Sequence, residues 1–240
     1  MQRLFFYMNT SIRVGVVIPA AGKGIRFGSK IPKQFLLLHN EPVLIHTLRH
    51  FENHQLVSDI VVVTSEDSLN DTEKLLHQFN IAKVRDVVIG GKERQVSVYN
   101  GCLAILKYSP DTIMVHDAVR PCINADLIGR LILEAKNNLA VVPVLSVKDT
   151  IGEIDENGKL MKYYSREHTR IIQTPQVFNA NILLHAFALA FEQNYYNTDE
   201  SSLVQRSGVS ISTIDGVAEN IKITTEEDLE IASNYLRKIL

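Results

Sequence analysis

Cysteine is scarce in this chain, and long apolar runs are absent. The two cysteines, Cys102 and Cys122, form no C-x-x-C pair and are too few for a disulfide framework. Two reduced thiols are typical of a cytosolic protein, so we expect a cytoplasmic location. No apolar run approaches the length of a membrane span. The stretch Leu4–Met8 is shorter than the apolar core of a secretory signal. We expect residues 1–13 to be a frayed lead-in, within which Met8 is a second candidate start.

An excess of charge of one sign is also missing. The formal net charge of the 240 residues is −2, which provides no bulk attraction to nucleic acid or to an anionic membrane. We therefore expect neither as a partner, and a small anionic ligand would need a local cluster of lysine and arginine. The composition is that of an ordinary globular protein. Because no interdomain linker interrupts the chain, we expect a single domain over residues 1–240.

Strand-like and helix-like segments alternate along the chain. Continuous β-branched runs, typical of strands buried on both faces, occur at Val14–Ile18, Asp59–Thr64, Val87–Ile89, Thr112–His116 and Leu139–Val144. Helical patterns fit residues 42–54, 67–79, 93–107, 124–136, 180–193 and 226–238. This alternation predicts an α/β fold with a mostly parallel sheet and helices on both faces. Ligands of such sheets bind beyond the carboxyl ends of the strands.

Residues 145–173 break this alternation. Two extended runs, Asp149–Ile154 and Lys159–Tyr164, flank the sequence Asp-Glu-Asn-Gly, and Asn-Gly between extended runs is a strong β-hairpin signal. A two-stranded ribbon alone is only marginally stable. We therefore expect the hairpin to pack on another surface, for which a second subunit is a good candidate.

A glycine-containing loop follows the first predicted strand. Its small residues, Pro19–Gly28, let backbone N–H groups approach phosphate oxygens closely. Four cations fall within eleven residues, at Lys23, Arg26, Lys30 and Lys33. The loop is not a P-loop, because Lys23 is followed by glycine rather than Ser or Thr. Its G-x-G-x-x-x-G spacing also departs from the dinucleotide fingerprint. Phosphate binding is favoured, with a tight strand-to-helix turn as the alternative.

Other polar segments lie where predicted strands end. Asp117 follows the fourth strand, where a carboxylate can hold Mg²⁺ or a substrate hydroxyl. Its alternative role as a helix cap is less favoured, because Asn124 is placed to cap the next helix. Histidines at positions 46, 50 and 54 have a spacing that metal ligands can show. They lie away from the apolar helix face, and we expect a solvated polar face there.

Taken in order, nine motifs resemble those of the 2-C-methyl-D-erythritol 4-phosphate cytidylyltransferase family. They are Pro19–Arg26, Pro32–Gln34, Gly90–Arg94, Ser97–Val98, Val115–Pro121, Asp149–Thr150, Gln173–Gln176, Thr198–Glu200 and Asn220–Thr224. The resemblance implies a Rossmann-like domain with a β-arm, here residues 148–166, that builds a homodimer. It also implies transfer of CMP from CTP to methylerythritol phosphate, a sugar-alcohol phosphate, with Mg²⁺ as the cofactor.

The resemblance further implies roles for individual residues. Catalytic roles fall to Arg26, Lys33, Arg166 and Lys222. The CTP site would comprise Ala20, Ala21, Gly22, Gly24, Gly91, Ser97, Asp117 and Ala118. The sugar phosphate would lie near Arg120, Thr150, Thr174 and Thr198, and Asp117 is the candidate metal ligand. Thr150 and Arg166 belong to the arm and are expected to serve the neighbouring subunit's site.

The sequence favours two alternative functions less than this one. Ribitol-5-phosphate cytidylyltransferases share some motifs but tend to open with Ala-Gly-Gly and to lack Thr-Asp-Glu-Ser, which this chain has at 198–201. Departures such as Lys92 and Ser165, where family members often carry acidic residues, concern local contacts only. A nicotinamide-dependent oxidoreductase is the more distant alternative, and the failed dinucleotide spacing argues against it.

Overall fold

The computed structural model describes residues 12–22 and 31–237. The predictions made for Gly24, for Arg26 and for most of the lead-in therefore lie outside the described residues. The strands are β1 Val14–Pro19, β2 Leu37–Leu38, β3 Glu41–Pro42, β4 Val57–Thr64, β5 Val84–Ile89, β6 Thr112–Val115, β7 Ala140–Ser146, β8 Ile151–Ile154, β9 Leu160–Tyr164, β10 Arg170–Ile172, β11 Gln176–Asn179 and β12 Ser212–Asp215. The helices are α1 Val43–Glu52, α2 Leu69–Gln78, α3 Arg94–Ile105, α4 Ala125–Glu134, α5 Ala180–Glu192, α6 Glu200–Arg206 and α7 Glu226–Leu236.

Eight of these strands form one mixed, mostly parallel sheet in the order β10-β7-β11-β6-β1-β4-β5, with β12 paired to β7. The four strands β6, β1, β4 and β5 run parallel to one another, and β12 is parallel to β7. Strand β11 lies antiparallel between β6 and β7, and β10 is antiparallel to β7. The prediction of a mostly parallel α/β sheet is confirmed. The antiparallel insertion of β11 was not predicted.

Both faces of this sheet are covered by apolar side chains. Alternate residues of β1 point to opposite faces: Val16 and Ile18 belong to one core cluster and Val17 to the other. Leu44 of α1 packs in the first cluster, and Val98 of α3 packs in the second. The β-branched run at β1 is therefore buried on both sides, as its composition predicted.

Helix α3 lies unusually close to the sheet because of Gly101. A Cβ atom at this position would fall 2.5 Å from Cγ1 of Val17 and 2.7 Å from Cγ2 of Val63. Real Cβ atoms do not approach other carbon atoms this closely, so a larger residue would push α3 away from β1 and β4. The close packing fixes the amino-terminal turn of α3 relative to the ends of these strands, where the candidate site lies.

The predicted hairpin is confirmed as a separate two-stranded ribbon of β8 and β9. The turn is closed by Asp155, whose side chain accepts hydrogen bonds from the backbone N–H groups of Asn157 and Lys159. Gly158 has a φ of +78°, a conformation that glycine adopts without strain. Large apolar side chains of the ribbon are exposed, among them Ile154, Met161 and Tyr163.

One local expectation, the solvated histidine face, was wrong, and another, the Asn124 cap, was confirmed. Residues 46 and 50 are not a solvated face: His46 is 8% exposed, and both rings hydrogen-bond backbone carbonyl groups, those of Leu38 and Pro121. The segment 220–224, which carries Lys222, forms no strand. The predicted cap Asn124 is present on α4, and Asp199 and Thr225 cap α6 and α7. None of the described helices is long and apolar enough to cross a membrane.

Candidate active site

A cavity of about 370 Å³ opens at the carboxyl edge of the parallel strands. Its lining residues come from the segments that follow β1, β5 and β6 and from the segment that precedes α7. They are Pro19, Ala20, Ala21, Gly22, Lys33, Gln34, Gly91, Lys92, Glu93, Arg94, Ser97, Asp117, Ala118, Val119 and Lys222. Segments that are distant in the sequence therefore meet at the sheet edge where ligands of α/β proteins bind.

Gln34 holds the start of the loop after β1 in place. Its side chain is buried and donates to the backbone oxygens of Ala20, at 2.6 Å, and of Gly22, at 3.4 Å. The backbone N–H of Ala20 in turn donates to the carbonyl of Val63 on the neighbouring strand. The Pro32-Lys33-Gln34 motif thus supplies a fixing residue for the loop beside its lysine.

Lys33 brings a buried cation to the cavity. It is 9% exposed and begins a short 3₁₀ helix, Lys33–Phe35. Its Nζ donates to the carbonyl of Ile223 at 2.9 Å, next to Lys222 in the chain. The carbonyl of Val119 accepts from the N–H of Ile223. These contacts join the first loop to the C-terminal segment, and they hold two lysines at one cavity.

The second glycine turn lies against the first. The backbone N–H of Gly91 donates to Oγ of Ser97, which itself donates to the carbonyl of Glu93. A Cβ atom at Gly90 would lie 2.8 Å from Cβ of Ala21 and 2.7 Å from Oγ of Ser97. The absence of a side chain at this position lets the two loops approach and shape the cavity between them.

Asp117 is surrounded by cations. Its Oδ2 lies 2.9 Å from Nζ of Lys222 and 3.4 Å from Nε of Arg120, and its Oδ1 lies 3.4 Å from Nη2 of Arg94. Burial opposes ionisation of the carboxyl group, but these three cations hold the pKa of Asp117 well below its usual range. The residue is therefore a carboxylate at neutral pH, and the cluster retains positive charge toward the cavity.

A neutral hydrogen-bonded relay supports Asp117 from behind. The hydroxyl of Thr174 accepts from the backbone N–H of Asp117 at 3.2 Å and donates to Nδ1 of His116 at 3.0 Å. The other ring nitrogen, Nε2, then carries the proton and donates to the carbonyl of Arg120. Burial lowers the pKa of His116 to about 3, so the ring stays neutral. Both of these hydrogen bonds of the Thr174 hydroxyl are therefore made to groups of the protein itself.

Asn220 fastens the lysine-bearing segment to this relay. Its side-chain NH₂ donates to the carbonyl of Thr174 at 2.7 Å. Its own carbonyl accepts from the side chains of Arg120, at 2.8 Å, and Gln173, at 3.2 Å. The position of Lys222, two residues further on, is therefore tied to the segment that supports Asp117.

A fully buried carboxylate stands beside Arg94. Glu200, the first residue of α6, is 1% exposed and binds Arg94 through both of its oxygens. In the sequence, both residues lie in motifs that carry the family resemblance, Thr198–Glu200 and Gly90–Arg94, but neither was among the predicted site residues. The signal that was available for Arg94 was its place in the first turn of a helix after two glycines.

The structure brings most of the predicted site residues together. Those at the cavity are Ala20, Ala21, Gly22, Lys33, Gly91, Ser97, Asp117, Ala118 and Lys222. Arg120 and Thr174 lie behind Asp117 instead of at the cavity wall. Thr150, Arg166 and Thr198 are exposed and do not line the cavity of their own chain. Arg166 contacts the carbonyl of Lys148 within the arm, at 3.4 Å.

The donor set around Asp117 permits only limited metal binding. Among the described residues, no group of three or more histidine, cysteine or carboxylate side chains is arranged to hold a metal ion. Asp117 offers one ionised carboxylate, and both oxygens of Glu200 are engaged by Arg94. A magnesium ion that is bound mainly by substrate phosphates needs only one or two protein carboxylates. Asp117 is an ionised carboxylate at the cavity, but its oxygens already contact Lys222, Arg120 and Arg94.

A Rossmann-like sheet whose carboxyl edge carries small-residue loops, lysines and an ionised aspartate defines an enzyme that binds nucleotide phosphates. Residues 14–238 match the family model described as 2-C-methyl-D-erythritol 4-phosphate cytidylyltransferase (IspD). The chain belongs to this family, and it is a nucleotidyltransferase.

Curated relatives and solved structures agree with this family. A 2-C-methyl-D-erythritol 4-phosphate cytidylyltransferase from Clostridium botulinum is 39% identical over 224 residues, which is 93% of this chain and 97% of the relative. The enzyme of that name from Geotalea uraniireducens is 40% identical and covers 95% of this chain and 98% of its own length. The crystal structure of 4-diphosphocytidyl-2C-methyl-D-erythritol synthase from Anaerococcus prevotii superposes with a TM-score of 0.82 at 26% identity, over 95% of this chain and all of that one.

Proposed function

We propose that the cavity around Asp117 is where this enzyme transfers CMP from CTP to 2-C-methyl-D-erythritol 4-phosphate, with release of pyrophosphate. The observation that carries the proposal is the convergence of Lys33, Lys222 and Arg94 on one cavity at the sheet edge, next to two small-residue loops. The names of the curated relatives favour this acceptor over ribitol 5-phosphate. Membership of this family also argues against a nicotinamide-dependent oxidoreductase.

The reaction makes modest demands on proton transfer. A phosphate-monoester oxygen of the acceptor attacks the α-phosphorus of CTP, and the bond from that phosphorus to the bridging oxygen breaks, so pyrophosphate leaves with the electron pair. The second pKa of a phosphate monoester is about 6, so the nucleophile is already mostly a dianion at pH 7. The site therefore needs no general base, and the buried neutral His116 serves a structural purpose instead.

The larger demand is electrostatic. Two polyanions must approach each other, and negative charge grows on the α-phosphoryl oxygens and on the departing pyrophosphate. Preorganised cations in a partly enclosed cavity stabilise such charge without reorganisation during the reaction. Lys33 and Arg26 supply this charge on the nucleotide side, and Lys222 and Arg166 supply it on the acceptor side. Backbone N–H groups of the loop after β1 add further donors.

Magnesium is the proposed cofactor, held mainly by the triphosphate. Asp117 is the protein group that would bind it, because the carboxylate is ionised and lies at the cavity wall. The ion would neutralise triphosphate charge and help the pyrophosphate to leave. Because Lys222, Arg120 and Arg94 already surround this carboxylate, the protein's share of the metal coordination is small.

The arm is proposed to build a homodimer and to complete the partner's site. Its exposed apolar side chains, which include Met161 and Tyr163, are a surface that a soluble monomer rarely leaves uncovered. Thr150 and Arg166 lie on this ribbon, away from the cavity of their own chain, which supports their acting on the sugar phosphate in the neighbouring subunit. Thr198 is assigned to the acceptor on the resemblance alone.

The chain is proposed to form one domain and to lie in the cytoplasm. We assign residues 1–240 to one nucleotidyltransferase domain, because β1 and β12, the first and last strands, belong to the same eight-stranded sheet. A cytoplasmic location is supported by two free, buried cysteines.

The proposed activity is tested by measuring pyrophosphate release with CTP, Mg²⁺ and either of two acceptors. We expect release that depends on methylerythritol phosphate and is matched by a CDP-linked alcohol. Release with ribitol 5-phosphate alone would transfer the assignment to the ribitol enzyme. Release with neither acceptor would overturn the proposal. A CTP-binding titration with NADH as competitor tests the oxidoreductase alternative.

A further inference from the structure

Among the residues that the structure describes, Arg94 is the one arginine that lines the cavity. Its side chain is 27% exposed and belongs to the first turn of α3, beside Gly91 and Ser97. A guanidinium group at this position can meet a phosphate with a planar pair of donors. A phosphate can be bound productively in this way only if the plane of the guanidinium is held in one orientation.

Glu200 provides that orientation. Nη1 of Arg94 lies 2.6 Å from one oxygen of Glu200 and Nη2 lies 3.2 Å from the other, which is a two-point pairing. A carboxylate that is 1% exposed is costly to bury without a partner. Burial raises the pKa of Glu200, and the adjacent guanidinium opposes that rise. The arginine thus stabilises the buried charge, and the carboxylate fixes the arginine.

The backbone that carries Glu200 is itself clamped on both sides. The side-chain oxygen of Gln176 accepts from the N–H of Ser201, and its NH₂ donates to Asp199, at 2.9 Å and 3.0 Å. Earlier in the segment, Gln95, the residue after Arg94, donates to the carbonyl of Tyr195 and accepts from the N–H of Asn197. Two glutamines therefore lock the start of α6 against β11 and α3.

Glu200 also competes with Asp117 for the same arginine. Nη2 of Arg94 lies 3.4 Å from Oδ1 of Asp117. This contact is longer than both contacts that the Arg94 guanidinium makes with Glu200. Without Glu200, Asp117 would be the remaining carboxylate in contact with Arg94 among the residues that the structure describes. The guanidinium would then turn toward Asp117, and its orientation toward the cavity would be lost.

We propose that Glu200 is a positioning residue, which holds Arg94 at the cavity so that its guanidinium binds the phosphates of the nucleotide. This inference rests on the proposed function. It assigns Arg94 to nucleotide binding and gives Glu200 an effect that is exerted entirely through Arg94.

The test is a double-mutant cycle with Glu200→Gln and Arg94→Gln. For each variant, KM for CTP and KM for the sugar phosphate are measured. We expect each single variant to raise KM for CTP about tenfold or more, because a displaced phosphate-binding group weakens ionic contacts. KM for the sugar phosphate should change far less. The double variant should be no worse than Arg94→Gln alone, because Glu200 acts through that arginine.

Arg94→Lys covers the case in which Glu200→Gln does not fold. It keeps a positive charge beside Glu200 but removes the planar fork, so we again expect KM for CTP to rise. Asp59→Asn is the matched control, since Asp59 is a buried carboxylate with two arginine partners, Arg13 and Arg85, near the opposite end of β4. It should lower the melting temperature and leave both KM values unchanged.

Three results would overturn the inference. One is a Glu200→Gln enzyme that melts earlier but keeps the wild-type KM for CTP. Another is wild-type CTP affinity in Arg94→Lys, and the third is a double variant whose loss equals the product of the two single losses. Wild-type turnover measured in the same assay reports on the proposed function separately, so failure of one is distinguishable from failure of the other.

Discussion

The Nζ atom of Lys33 lies 2.9 Å from the carbonyl oxygen of Ile223, across 190 positions of the chain. This contact places the lysine of the first loop beside the segment that carries Lys222. The two lysines therefore belong to one charged site, although the sequence separates them by most of its length. The contact therefore links the two sides of the cavity, which we propose face the nucleotide and the acceptor.

Replacing Lys33 with alanine should impair turnover without unfolding the protein. We expect kcat to fall by on the order of 10²–10³, because a preorganised cation at developing phosphate charge is worth about 3–4 kcal/mol. Arg26→Ala should have a similar effect. Steady-state pyrophosphate release gives kcat, and circular dichroism checks the fold. Unchanged turnover in a well-folded Lys33→Ala enzyme would remove Lys33 from the catalytic group.

Replacing Arg166 with alanine should affect the acceptor more than the nucleotide. We expect KM for the sugar phosphate to rise more than KM for CTP, and the opposite pattern would contradict the positioning role. Mixing Arg166→Ala with Lys33→Ala subunits adds a sharper test. If the arm serves the partner, mixed dimers contain one site with both residues intact and regain activity that neither variant has alone. No regain after subunit exchange would place Arg166 at the site of its own chain.

The dimer itself should depend on the apolar surface of the arm. Met161→Lys adds a charge at a residue that is exposed in the single chain, and we expect it to shift the protein from dimer to monomer in sedimentation velocity. Leu133→Lys, at an exposed leucine of α4, is the matched control and should leave the sedimentation coefficient unchanged. A wild-type protein that sediments as a monomer would refute the proposed dimer.

The buried relay predicts a specific loss of stability in acid. Burial lowers the pKa of His116 from 6.5 to about 3, so the unfolded chain binds this proton more readily than the folded one. The contribution of His116 is fully present above pH 6.5 and is lost as the pH falls toward 3. Urea unfolding at several pH values should show a steeper loss for wild type than for His116→Asn, by up to about 1.4 kcal/mol per pH unit.

The other titrating groups are shared by both proteins. His50 and His54 also have lowered pKa values, mainly through burial, and Asp117 titrates below its usual range. Their contributions cancel in the difference between wild type and His116→Asn. Parallel stability curves for the two proteins would show that the ring is not held neutral.

The sequence predicted those parts of the fold that local pattern determines. Strand β1 was evident because β-branched residues fill both of its faces, and the hairpin was evident from Asn157-Gly158 between extended runs. Strand β10 was missed because Arg170–Ile172 is three residues long and exposed. Pro175 interrupts the segment just before β11, which further weakens any strand pattern there. Short edge strands take their stability from pairing partners that the local sequence does not contain.

The candidate site shows the same division. Lys33, Asp117 and Lys222 could be predicted because their motifs resemble those of a family. Glu200 also lies in such a motif, but its role could not be predicted, because that role depends on Arg94, which lies 106 positions earlier and contacts Glu200 only in the folded chain. Likewise, the spacing of His46 and His50 indicated a polar helix face. His46 is instead buried and His50 half-buried, and their rings hydrogen-bond the backbone carbonyls of Leu38 and Pro121, which no periodicity reveals.

The central claim is that cytidylyl transfer takes place in the cavity around Asp117, and Asp117→Asn tests it most directly. Asparagine keeps the shape of the side chain but removes the charge that organises Lys222, Arg120 and Arg94. We predict that kcat for pyrophosphate release with CTP and methylerythritol phosphate falls at least about 10²-fold, while Asp59→Asn keeps the wild-type kcat. A folded Asp117→Asn enzyme with wild-type turnover would contradict the account.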